Sequence, residues 1–184
     1  MNNNKKLLDS LETKVESHIK TAISEFQNMS SKDLLKPAKD DGWSIAQCID
    51  HLNGYGDYYL TEIKKGIDRG KDGDYPTFKS SWLGEYFTGM MDPDKGKKKF
   101  KAFKNHIPKE NLNPNEVIAK FIYQQELLLT YLRRGEKKNL NGIRIPISIS
   151  KWIRLKLGDV YQFVIAHNER HIRQAMRNKN SQRN

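Results

Sequence analysis

The chain has 184 residues, enough for one domain with a sizeable core, although only 36% of them are hydrophobic. Lys and Arg number 33 against 22 Asp and Glu, a formal charge of +11, which suits acidic partners such as nucleic acid but equally a solvated Lys-rich surface. The lone cysteine, Cys48, excludes an intramolecular disulfide, MNNNKKLLDSLETK lacks a signal-peptide core, and no window approaches the roughly 20 apolar residues of a membrane span, so a cytoplasmic chain with no membrane partner is expected.

Residues 5 to 29 predict a first helix. Leu8, Leu11, Val15, Ile19, Ala22, Phe26 and Met29 recur at three and four, the seam of a helical bundle. His18 flanks that seam and is expected to be partly exposed. Residues 30 to 42, with Pro37 and Gly42, read as a linker. A second helix is predicted over 43 to 65, opened by a capping box of Ser44 and Gln47. Trp43 stands where a hydrophobic staple would pack on Cys48. The apolar stripe is Ile45, Cys48, Ile49, Leu52, Tyr59 and Ile63, with His51 and Tyr55 one turn apart at its edge.

Gly and Pro punctuate the chain from 66 to 112, a long connection whose aromatics suggest that it packs down on the core. A short helix is expected within 97 to 105. The run KGKKKFKAFK, Lys95 to Lys104, has the basic and aromatic mix of a nucleic-acid contact, or of an amphipathic surface loop. A third helix is predicted over 113 to 135, with Asn113 as cap, Pro114 at the first position and Glu116 closing a box. Ile143 to Leu157 alternates partly like a strand, but Pro146 interrupts it and no partner strand is evident. It is expected to be an extended segment leading to a last helix over 158 to 179. Four long helices make residues 1 to 184 a single-domain, all-α four-helix bundle.

The chain contains no P-loop, GxGxxG, CxxC or GxSxG motif. Its unusual feature lies in the last helix, where His167 and His171 stand four apart on one face with Val160, Val164 and Gln174. Two imidazoles so placed can grip one metal ion. The spacing alone is weak: chance would supply such a pair in roughly one sequence in ten with this many histidines. A third ligand would make it strong, and His51 of the second helix is the candidate. Three imidazoles plus an open position form a catalytic type of zinc site, and imidazole also suits nickel, iron and copper.

At these residues the chain resembles the DinB/YfiT-like superfamily of bacterial metalloproteins. The matching stretches are Trp43-Ser44-Ile45-Ala46-Gln47 leading to Asp50-His51-Leu52, and Leu157-Gly158-Asp159 leading to His167, Arg170, His171 and Gln174. The resemblance implies an up-down-down-up bundle; the long, Lys-rich crossover between helices two and three departs from the family's pattern. It implies a divalent metal, zinc or nickel foremost, on His51, His167 and His171, and it implies homodimers and a stress-response setting. It further implies a thiol-dependent S-transferase, in which a low-molecular-weight thiol of the bacillithiol type attacks a small electrophilic substrate; a metal-dependent hydrolase is the alternative. Gln174 and Tyr55 are the candidate contacts beyond the ligands. A basic binding protein without chemistry, docking on nucleic acid through Lys95 to Lys104, is the rival class.

Overall fold

A computed structural model describes residues 3–39, 42–95 and 107–182. The short helix expected within 97 to 105, and nearly all of the basic run, lie outside the described residues. Helix α1, Asn3–Thr21, buries Leu8, Leu11 and Val15 and runs into a π-helical turn at Ala22–Phe26. Lys179 reaches that turn and donates to both the backbone carbonyl and the carboxylate of Glu25. The region read as a linker holds one helical turn, α2, Ser31–Leu35, whose N-cap Ser30 accepts from the backbone N–H of Asp33.

Helix α3, Ile45–Arg69, opens on the expected capping box. Ser44 Oγ accepts from the Gln47 N–H at 3.1 Å, and Gln47 Oε1 accepts from the Ser44 N–H at 3.0 Å. The long connection contains a helix that the sequence reading missed, α4, Trp82–Met91. Its N-cap is Ser81, held in turn by the fully buried carboxylate of Asp159 through a 2.6 Å bond to the hydroxyl. Gly84 permits this approach: a Cβ there would lie 2.1 Å from the Asp159 carboxyl carbon. Helix α5 spans Pro114–Gly135. Asn113 does not cap its backbone as expected; its side chain instead donates to the Glu116 carboxylate at 2.8 Å. Both side chains are exposed, so water satisfies the first-turn amides at little cost.

The stretch before the last helix also corrects the expectation. It is no lone extended segment but an antiparallel hairpin, β1 Arg144–Ile147 and β2 Ser150–Lys156. The register shifts at Pro146/Ile147, which accommodates the N–H that proline lacks. The carbonyls freed there face the Tyr58 hydroxyl. Helix α6, Leu157–Gln182, follows without a break.

Side-chain bonds fix the direction of each helix. Asn3, at the start of α1, donates to the Phe78 carbonyl beyond the end of α3, so these two run oppositely. Asn53 near the start of α3 donates to the Val117 carbonyl near the start of α5, and Arg134 pairs with Asp68 at their ends, so α3 and α5 are parallel. Tyr161, early in α6, donates to the Tyr131 carbonyl late in α5, which makes α6 antiparallel to α5. The order is up, down, down, up. Helix α3 packs against α5 and α6, and α1 packs against the same two. No helix among the described residues is long and apolar enough to cross a membrane.

The core divides into two apolar clusters. On every long helix the boundary between them is polar: His18 on α1, His51 and Asn53 on α3, Gln124 and Gln125 on α5, His167 and Asn168 on α6, all buried. His18, expected at an exposed edge, is 1% exposed because Glu169 accepts its Nε2–H at 2.8 Å. Asn168 Nδ2 donates to Gln125 Oε1 at 3.0 Å across α5 and α6. Asn168→Ala should therefore cost about 1–3 kcal/mol, since it strands a buried amide oxygen. The double change Asn168→Leu with Gln125→Leu should cost less than the sum of the two single changes. Denaturant titration of the four proteins checks both statements.

Candidate metal centre

His51, His167 and His171 meet in this polar layer. Each offers one ring nitrogen, and these three atoms lie within 4.8 Å of one another. The Nε2 atoms of His51 and His167 approach to 3.2 Å, although 116 positions separate the residues. Helix α6 supplies two rings because i and i+4 share a face. Helix α3 supplies the third because its own stripe turns His51 toward α6. His51 and His167 are buried and His171 is partly exposed, so the cluster sits at one edge of the core.

The geometry suits a divalent ion. Nitrogen ligands about 2.0–2.1 Å from zinc in tetrahedral array lie roughly 3.3–3.5 Å apart, within the range that these atoms span. Two neutral Nε2 atoms facing each other need either a proton between them or a cation that both can ligate. His171 is oriented by Gln174, whose Oε1 lies 3.0 Å from Nδ1. An amide oxygen only accepts, so the proton stands on Nδ1 and the Nε2 lone pair is left for a ligand role. Cys48 is not in the cluster; it is buried in the neighbouring apolar core, where burial holds its thiol up at about 12.

Aromatic rings wall the three imidazoles. Trp43 lies 4.9 Å from His51 and stacks on His171 at 5.9 Å. Tyr55 lies 4.3 Å from His167 and 5.1 Å from His51. Phe163 stacks parallel to His167, and Phe87 of α4 stands edge-on to Phe163. All five expected site residues are thus brought together: His51, His167 and His171 as the cluster, Gln174 behind His171, and Tyr55 against His167. Trp43 and Phe163 join as walls that the sequence did not single out. Trp43 precedes its helix, so helical periodicity does not reach it; Phe163 stands four before His167, a spacing that would have revealed it.

A family model for the DinB superfamily matches residues 15–175. The chain belongs to the DinB superfamily. Its fold is similar to that of YfiT from Bacillus subtilis, described as a probable metal-dependent hydrolase with an unusual four-helix bundle topology. The two structures superpose with a TM-score of 0.56 over 97% of this chain and 87% of YfiT, at 14% sequence identity. No curated protein matches the sequence.

In this DinB-superfamily chain the site is tuned by burial. His171 is pushed down to about 3 from an ordinary 6.5, first by burial and then by the charge of His51, with Arg170 and Arg177 adding and Gln174 opposing. The ring is therefore neutral at physiological pH, as ligation requires. Tyr55 is raised to about 12 by burial and keeps its proton. On the far side of α6, Glu169 is held down to about 2 by its bond from His18, with Arg173 also lowering it against the opposing effect of burial. The sign for His171 follows directly. The unfolded chain takes up this proton near 6.5 and the folded chain only near 3, so the unfolded state binds more protons between those values. Stability of the metal-free protein should be fully present above about 6.5 and should fall on acidification toward 3. Glu169 adds a further loss below its ordinary 4.5. Urea midpoints measured across pH should show the upper limb, and His171→Gln should flatten it.

Proposed function

We propose that His51, His167 and His171 hold one divalent metal ion, with zinc and nickel the best matches to an all-imidazole donor set, and that the chain is a metal-dependent enzyme acting on a small molecule. The observation that carries this reading is the convergence of three buried or half-buried imidazoles from two helices, with one already oriented by an amide behind it. A bound ion of this kind lowers the pKa of water or a thiol and polarises a carbonyl. The chain's own side chains do the rest. Gln174 holds His171 in its ligating tautomer. Trp43, Tyr55 and Phe163 keep bulk water from the rings. Tyr55, still protonated and packed against His167 and His51, is the candidate donor to an oxygen of the substrate.

Thiol transfer is the reading we favour for the reaction: a thiol sulfur forms a bond to a small electrophile and the leaving group departs. Two features support it. Among the described residues the cluster contains no carboxylate, and Glu169, on the far face of α6, is occupied by His18 and Arg173 and held acidic, so neither supplies a general base for water. A thiol ionises far more readily than water and has less need of one. Arg170 and Arg177 also set a positive field at His171, which suits an anionic thiol of the bacillithiol class. Metal-dependent hydrolysis is the second reading, supported by the description of YfiT.

Elemental analysis of tag-free protein should find one equivalent of zinc, nickel or another divalent metal per chain, and His51→Ala or His167→Ala should abolish it. Gln174→Leu should keep the site but weaken metal affinity about 10- to 100-fold in a competition titration with a chelator. Activity of the loaded protein toward a chromogenic aryl halide, present only with added thiol, supports transfer; thiol-independent ester or amide cleavage supports hydrolysis. A protein that takes up neither zinc nor nickel near neutral pH refutes both.

A further inference from the structure

The hairpin is unlike the rest of the surface. Its inner face, Ile145, Ile147 and Leu155, is buried on the bundle. Its turn and second strand put apolar side chains into solvent: Trp152 is 94% exposed, and Ile149 and Ile153 are exposed beside it. Strand β2 packs against α4, which carries a further exposed pair, Trp82 and Tyr86, stacked on each other. Five of the nine exposed large hydrophobic side chains among the described residues thus belong to two neighbouring elements. Charge on the hairpin is of one sign. From Ile143 to Leu157 there is no Asp or Glu, against Arg144, Lys151, Arg154 and Lys156. Lys156 is spent on the Lys79 carbonyl and Asn141, whereas Arg144, Lys151 and Arg154 have no ion pair or hydrogen-bonding partner for their side chains among the described residues.

We propose that this face docks on an anionic phospholipid surface, with the hairpin turn entering the headgroup region. An indole at the interface, flanked by aliphatic side chains that leave water and cations that reach back to phosphates, is the chemistry of a peripheral membrane contact. Neither the apolar turn nor the cations would suffice alone, because stable anchoring takes two signals. A second copy of the chain fits worse, since a two-fold contact would set one acid-free hairpin against another. Single-stranded nucleic acid would use Trp152 for stacking but would leave Ile149 and Ile153 without a role. The lack of a spanning helix argues only against crossing a bilayer, not against lying on one.

Co-sedimentation of the full chain with vesicles tests the proposal. Binding should appear with vesicles of phosphatidylcholine containing phosphatidylglycerol, be absent with phosphatidylcholine alone, and weaken as salt is raised. Trp152→Ser with Ile153→Ser, and separately Lys151→Glu with Arg154→Glu, should each lower the partition coefficient by about tenfold or more, with circular dichroism and thermal midpoint unchanged. No binding to the anionic vesicles overturns the proposal. So does binding that both double variants leave intact, which would assign it to the general basic charge. Tight binding of a single-stranded oligonucleotide, or self-association, that Trp152→Ser abolishes would reassign the face to nucleic acid or to a second copy and would overturn it as well.

Discussion

Everything in this bundle is arranged around a layer of polar side chains that the core must bury. A four-helix bundle is most easily stabilised by an unbroken apolar interior. Here each long helix contributes at least one buried polar group, and two separate apolar clusters flank them. Burying such groups is costly unless each finds a partner. Most are paired across helices, His18 with Glu169, Gln125 with Asn168, Asn53 with the Val117 carbonyl. The three clustered imidazoles are different. They meet one another, and burial holds His171 in its neutral form. A cation that all three could ligate would resolve that conflict, which ties the site to the fold.

The long connection serves the same layer from outside. Asp159 opens α6 and holds the cap of α4, and Arg170, next to His171, donates to the Met90 carbonyl at the other end of α4. Helix α4 is thereby clamped at both ends along the helix that carries two of the three imidazoles, and its Phe87 backs Phe163 behind His167. On the other face of α6, His18, Glu169 and Arg173 tie the helix to α1 and to Asp94. The rotation of α6 is fixed from two sides, which leaves His167 and His171 little freedom in where they point.

The long helices are marked by local signals in the sequence. The Ser44–Gln47 box, the proline and glycine bounding α5, and the apolar stripes are short-range patterns, and they placed all four long helices. His51 could be named as the partner of His167 and His171 from bundle logic and from the resemblance to the superfamily, but not from any local pattern, because a contact across 116 positions leaves no local trace. Helix α4 was hidden by Gly84 and Gly89, which weaken a helical pattern; Gly84 is explained by the approach of Asp159, a tertiary fact. The hairpin was hidden by Pro146, since the register shift that absorbs the proline is not visible until the strands pair. His18 was misplaced because its burial depends on Glu169, which lies 151 positions away.

The most direct test of the central claim is the coordination shell itself. X-ray absorption at the metal edge of the zinc- or nickel-loaded protein should show nitrogen and oxygen scatterers near 2.0–2.1 Å, with outer-shell features of about three imidazoles and no sulfur from the chain. Loss of one imidazole in His51→Ala would place α3 and α6 on the same ion. A shell with a sulfur from Cys48, or with fewer than three imidazoles in the unaltered protein, would contradict the account.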